Sequence, residues 1–445
     1  MSQRRGRAGT RCAQRRSARL TAVFLGFTLL AAACSEGSDD ALDAEAVLAA
    51  DREIGDANPS CEGASDGVLS IGSLLPHTGE LAVLGPPMFA AAELAVGDIN
   101  AAGGINGQPV AYRRGDEGTG HAAATVDEHL AAGVDAIVGA ASTSVSESQF
   151  DTIISACKVM FSPANTGANF TIAEDDDLYF RTAPSDVLQG QVLAQLAVED
   201  GAGTAAILAR DDAYGQSLAF FVRHQLEAQG VEITAQRLYD PEGNDPGDDV
   251  DPIVDADPDA LYLIGYAETS GLLQALAAEG FTAATKKIYL ADGNTSNTVG
   301  ESFTEAGALA GIRGTYPAAQ VAAAFTTRLT RVDPTLVDVV YGPETYDAVV
   351  ITALAATAAG TDRPDEIARH INEVTRGGTA CINFVQCRDL LASGTDIDYN
   401  GPSGLLDFTL PGEPSTATIA VLTFGQDNHI DTTATQYRNV AISDA

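Results

Sequence analysis

Short apolar runs alternate with stretches of helical periodicity along most of the 445-residue chain. The first series is Val68–Pro76, Pro87–Asn100, Val110–Asp116, His121–Gly133, Asp135–Gly139, Val145–Ala156 and Val159–Pro163, read alternately as strand and helix. This rhythm predicts βαβ units and a parallel sheet. After Tyr179–Pro184 it restarts with a helix over Asp186–Gly201, a strand over Ala205–Arg210 and a helix over Tyr214–Gly230. Strands over Val231–Tyr239 and Ala260–Tyr266, a helix over Glu268–Gly280 and a strand over Lys287–Ala291 complete a second α/β lobe. Helical patterns follow at Ala318–Arg331, Thr345–Ala359 and Pro364–Thr375. Near the C-terminus, Gly404–Leu410 and Thr418–Phe424 alternate like strands around Pro411-Gly412-Glu413-Pro414, a hairpin-like signal. From Val68 onward there is enough chain for two separate cores. The fold class is therefore α/β with two lobes.

The N-terminal region breaks the rhythm. Residues 1–33 hold seven arginines and no acid, and an apolar run from Leu20 to Ala33 leads to Cys34. That run is too short to span a bilayer as a helix, which takes about 20 residues, and the segment reads as a secretory signal. Leu30-Ala31-Ala32-Ala33-Cys34 looks like a lipobox, with Ala31 where leucine is commonest, so Cys34 is expected to carry a lipid after cleavage. Residues 34–67 are polar and acidic and read as a flexible tether. The same reading applies to Asp240–Asp259, where nine acids and four prolines suggest a solvated loop; Asp245 stands where a calcium-binding EF-hand loop requires glycine.

Loss of residues 1–33 leaves 18 basic against 61 acidic residues, a net charge of −43. Such a surface repels polynucleotides and anionic lipid, so a nucleic-acid partner is excluded and contact with a membrane is expected only through the anchor. With Cys12 in the signal and Cys34 assigned to lipid, Cys61, Cys157, Cys381 and Cys387 remain. An even number in an oxidising compartment favours disulfides. Cys381 and Cys387 are close together in a polar loop, and Cys61–Cys157 follows by elimination. No cysteine or histidine set has metal-ligand spacing, and no cofactor is expected.

Ligands in parallel α/β sheets gather beyond the carboxyl ends of the strands. After the strand at Asp135–Val138 come Ser142, Thr143 and Ser144, and Ser144-Val145-Ser146-Glu147 matches a capping box, so a helix N-terminus and hydroxyl donors are expected there to receive a carboxylate. Ala164 and Thr166, at the end of the next strand, supply further donors. In the second lobe, strand ends carry Tyr214, Tyr266 and Asp292, the last placed to meet an ammonium group. Catalytic alternatives fail on context. Gly63-Ala64-Ser65-Asp66-Gly67 precedes its strand instead of following one, and Gly201-Ala202-Gly203 also lies before a strand.

Several stretches resemble the branched-chain amino-acid binding proteins of ABC transporters, the type I periplasmic binding proteins. They are Ile71–Gly79, Gly85–Ile105, Val134–Gly139, Phe180–Asp186 with Gln189-Gly190, Asp212–Gly215 and Tyr346–Ala348. The resemblance implies two lobes joined by three crossings, near Pro184, Gly311–Thr315 and Gly401. The first lobe would be 68–185 with 315–400, and the second 186–314 with 401–445. It implies a carboxylate site at Ser142, Thr143, Ala164 and Thr166, an ammonium partner at Asp292, and aromatic walls from Tyr214, Tyr266 and Tyr346. Leu84 replaces an aromatic residue common beside the ligand side chain. A monomeric, exported, non-enzymatic binding protein serving an ABC permease is expected, with a sensory module of the same fold or a secreted hydrolase as alternatives.

Overall fold

The computed structural model describes residues 42–442 apart from Asn244, so the expected signal segment and Cys34 lie outside the described residues. The first lobe is built on β1 (Ser70–Leu74), β2 (Ala111–Arg113), β3 (Ala136–Gly139), β4 (Val159–Ser162) and β5 (Tyr179–Arg181), an all-parallel sheet in the order β2-β1-β3-β4-β5. Helix α1 (Ala44–Ala50) precedes it, and α2 (Gly85–Ala101), α3 (Ala122–Ala131) and α4 (Thr143–Ser155) connect its strands. The central strands β3 and β4 are buried at every position, as a sheet covered on both faces requires.

The second lobe contains α5 (Asp186–Glu199), β6 (Thr204–Arg210), α6 (Ala213–Ala228), β7 (Glu232–Tyr239), α7 (Pro246–Asp255), β8 (Ala260–Ile264), α8 (Thr269–Ala278), β9 (Lys287–Leu290), α9 (Asn297–Glu301) and β10 (Arg313–Pro317). The chain then returns to the first lobe for α10 (Ala323–Val332), α11 (Gly342–Ala359), α12 (Pro364–Ile371), β11 (Thr379–Cys381), α13 (Phe384–Ala392) and β12 (Ile397–Tyr399). Helix α11 is buried from Gly342 to Ala356 and packs between α2 and α12, which accounts for a sequence apolar on every face. Finally β13 (Thr416–Thr423) and β14 (Gln436–Ala441) close the second sheet, ordered β14-β13-β10-β9-β8-β6-β7, with β13 and β14 antiparallel to their neighbours.

Several boundaries differ from the sequence pattern. Strand β10 runs to Pro317, paired with both β9 and β13, so the second crossing comes after Pro317 and not at Gly311–Thr315. Leu406 and Phe408 belong to the first lobe's core, and Asn372 Nδ2 donates to the Thr409 carbonyl at 2.9 Å, which moves the third crossing from Gly401 to the start of β13. Gly404–Leu410 is therefore no strand, and Thr416–Thr423 makes its hairpin with β14 instead. The acidic 240–259 stretch contains α7: Asp245 caps it by accepting from the Gly247 N–H, Pro246 fits the first turn, and Val250 and Ile253 are buried. The segment around Cys381 and Cys387 is a short strand and a helix capped by Asn383, not a polar loop.

Residues 42–67 are not a free tether. Helix α1 inserts Val47 beside Ala168, Val187 and Phe221, touching both lobes. Beyond it, aspartates of the first lobe take up the backbone donors. Asp176 accepts from Ser60 and Cys61, Asp177 from Asn58, and Asp362 from Asp66, Gly67 and Val68, at 2.7–3.1 Å. A disulfide joins Cys61 to Cys157, and a second joins Cys381 to Cys387.

Candidate functional site

Between the lobes, six of the eight residues singled out in the sequence line one crevice: Thr143, Ala164, Thr166, Tyr214, Tyr266 and Asp292. Each follows directly on a strand or opens the helix after it, because a parallel sheet delivers all its strand ends to one edge. Asp292 is the centre of the arrangement. Its Oδ1 accepts from the Tyr214 hydroxyl at 2.7 Å and from Gln189 Nε2 at 3.0 Å, and its Oδ2 accepts from the Tyr341 hydroxyl at 2.7 Å. Burial, with Asp292 adding to it, holds the Tyr214 and Tyr341 hydroxyls far above their ordinary pKa, so they remain neutral donors. The Tyr214 and Tyr266 rings stack at 5.3 Å, and the Arg210 guanidinium lies 3.8 Å from the Tyr266 centroid. Gly293 is required beside them: a Cβ there would meet the Gly265 carbonyl at 2.6 Å and the Tyr266 ring at 2.7 Å.

On the first lobe, Ser142 is the N-cap of α4, its Oγ accepting from the Val145 N–H at 3.4 Å, so the helix begins two residues before the capping-box pattern suggests. Glu117 occupies part of that terminus. Its carboxyl accepts from Ala141 at 2.5 Å and Ser142 at 3.2 Å, and burial pushes it up to about 8 against the pull of those two N–H groups. Ser142 faces a neighbouring cavity of about 300 Å³ that shares Leu81 and Tyr266 with the crevice. The Thr143 hydroxyl donates to Asn165 Oδ1 at 2.9 Å.

Tyr346 does not belong to the crevice. It packs edge-on against Phe325 in the first lobe's core and donates its hydroxyl to Asp98 at 2.7 Å. Tyr341 takes the cleft position instead. Its backbone is left-handed, with φ of 54°, at the N-cap of α11, and this turns its side chain toward Asp292. The sequence signal for it is Pro343, which marks a helix start immediately after Tyr341. Gln189 stands in the Gln189-Gly190 pair of the family resemblance, without a role attached to it, and Glu117 carries no comparable signal.

The lobes meet closely in this structure. Besides Tyr341 and Asp292, Arg210 pairs with Glu80 at 3.0 Å, and the Ala168 N–H donates to Ser217 Oγ at 2.9 Å. The crevice has about 20 Å³ free to the centre of a water molecule, room for about one water. A solute larger than that requires the lobes to part.

Residues 68–386 match the profile of the periplasmic binding proteins. The chain belongs to that family. The chemotactic signal transduction system substrate-binding protein BasB of Halobacterium salinarum is 29% identical over 368 residues, covering 78% of this chain and 85% of that protein. Leu/Ile/Val-binding protein homolog 1 of Brucella abortus is 28% identical over 317 residues, 68% of this chain and 82% of its own. Among solved structures, the branched-chain amino acid transporter substrate-binding protein LivJ of Streptococcus pneumoniae, in complex with isoleucine, superposes with a TM-score of 0.68 at 21% identity, covering 84% of this chain and all of that one. A solute-binding protein of R. palustris in complex with 4-hydroxybenzoate gives 0.65 at 18% identity, over 82% of this periplasmic binding protein and 95% of its own chain. These likenesses establish the two-lobe type I fold. Among the described residues no helix is long and apolar enough to cross a membrane, and no group of side chains forms a metal site.

Proposed function

We propose that this protein is the extracytoplasmic solute-binding lipoprotein of an ABC importer and closes over a branched-chain or related amino acid, or an amide-like small solute. The observation that carries the reading is Asp292, an acid at a strand end of one lobe facing the strand-end hydroxyls of the other. An ammonium group would replace Tyr341 and Gln189 as donors to Asp292. The solute's carboxylate would take the Thr166 hydroxyl and the N-terminus of α4, and also the Thr143 hydroxyl once it turns away from Asn165. Leu81 and Leu84 would wall its side chain. Closure then follows because only the closed form lets both lobes contact one small molecule, so binding shifts the population toward it. The names of the Brucella relatives and the isoleucine complex of the pneumococcal protein support an amino acid. Cys34 would hold the protein to the outer face of the membrane, beside the permease.

Chemotactic sensing is the second reading, favoured by the similarity to BasB over most of both chains. The same closure would then be read by a receptor in place of a permease.

A thermal-shift screen over amino acids, amides, urea and aromatic acids, followed by calorimetry, tests the reading. One or more α-amino acids should raise the melting temperature, and Asp292→Ala should abolish their binding. Unchanged affinity in Asp292→Ala refutes the ammonium assignment.

A further inference from the structure

On the side of the molecule where the three crossings run together lies a cavity of about 280 Å³ that shares no residue with the cleft. Its wall is largely apolar, with Pro184, Pro317, Leu406 and Val440 on it, and at its edge Leu405 is 65% exposed. Among the described residues one ionisable side chain lines it: Glu344, in the first turn of α11 and 3% exposed. Glu344 Oε2 is buried and has no hydrogen-bond partner among the described residues, and Thr416 Oγ1 on the same wall is likewise unpartnered. Among the described residues no lysine, arginine or histidine lines the cavity. Burial raises the Glu344 carboxyl to about 8, with Asp347 adding in the same direction against the pull of Glu344's own backbone N–H.

A carboxyl oxygen desolvated without a donor is costly, and such groups in native proteins call for a partner. An anionic solute would find no counter-charge in this cavity and a purely apolar one would leave the oxygen unpaired. We propose that the hinge cavity is a second binding site, distinct from the cleft, for a small organic cation with an apolar stem, its ammonium donating to Glu344 Oε2 and its stem lying against the prolines and leucines of the crossings. The inference does not depend on what the cleft binds.

The test uses the folded protein at about pH 9, above the raised Glu344 carboxyl and below an alkylammonium group, and two probes of equal size, n-butylammonium chloride and n-butanol, at constant ionic strength, with binding followed by ligand-observed NMR and calorimetry. Saturable millimolar binding of the ammonium is expected, with the alcohol at least about tenfold weaker. Glu344→Gln, which preserves shape, should weaken ammonium binding by about tenfold or more. Leu405→Trp, at the exposed edge, should block it by filling the entrance. Asp292→Ala should leave it unchanged, which separates this site from the cleft. Equal binding of the alcohol, no saturable binding of the ammonium, full affinity in Glu344→Gln, or full affinity in Leu405→Trp overturns the proposal.

Discussion

The Tyr341 hydroxyl of the first lobe donates to Asp292 Oδ2 of the second at 2.7 Å, closing the crevice with the protein's own donor. A solute ammonium must compete with that bond. Removing the hydroxyl while keeping the ring should therefore free Asp292 for the solute. A hydrogen bond to a charged group contributes about 1.5–3 kcal/mol, part of which is recovered by water in the open form. Tyr341→Phe is expected to bind the amino acid found by screening up to about tenfold more tightly, measured by calorimetry. Equal or weaker binding would show that Tyr341 helps to hold the solute instead of competing with it.

The two disulfides should contribute unequally. Cys61–Cys157 closes a sequence separation of 96 residues and Cys381–Cys387 one of 6. Chain entropy assigns about 4–5 kcal/mol to a loop of the first size and about 2 kcal/mol to the second. Cys61→Ala/Cys157→Ala should accordingly lose about twice the stability of Cys381→Ala/Cys387→Ala in denaturant unfolding. A larger loss from the short loop would mean that the bond's local role in seating α13 outweighs its effect on the unfolded chain.

Stability should fall as pH rises from mildly acidic to mildly basic. Burial raises Glu117, Asp186 and Glu344 to about 8 and Asp347 to about 7, whereas unfolded carboxyls titrate near 4. Between about pH 4 and 8 the unfolded chain has released these protons and the native chain still holds them. Each group then lowers the unfolding free energy by up to about 1.4 kcal/mol per pH unit, and the loss is complete above about pH 8. Asp259, kept low by the Gly203 and Thr204 N–H groups, and Glu199, kept low by Arg438, act in the opposite sense only below about pH 4. A higher melting temperature at pH 5 than at pH 8, at fixed ionic strength, is expected; equal values would show that these carboxyls are not protonated in the native state.

Much of the cleft was legible because it obeys a local rule. Strand ends are found from hydrophobic runs, and Thr143, Ala164, Thr166, Tyr214, Tyr266 and Asp292 all stand at strand ends. Tyr346 and Tyr341 show where that rule stops. Both lie at the start of one helix, five residues apart, and their spacing does not say which faces the cleft. The left-handed backbone at Tyr341 and the pairing of Tyr346 with Asp98, 248 residues away, settle it. Residues 42–67 were illegible for a related reason. Their own composition is that of a tether, and their order comes from aspartates and a cysteine more than 100 residues distant or nearly so.

By itself, then, the sequence determined the alternation of strands and helices, the two-lobe α/β class and the strand ends that line the crevice, since each depends on periodicities within about 20 residues. The tertiary structure alone decided the crossings at Pro317 and before Thr416, because a strand's sheet is set by its partners. It alone placed Glu117 on the terminus of α4 and Tyr341 on Asp292. Those contacts join residues far apart in sequence, and a buried acceptor takes its donors from whatever part of the fold lies within reach.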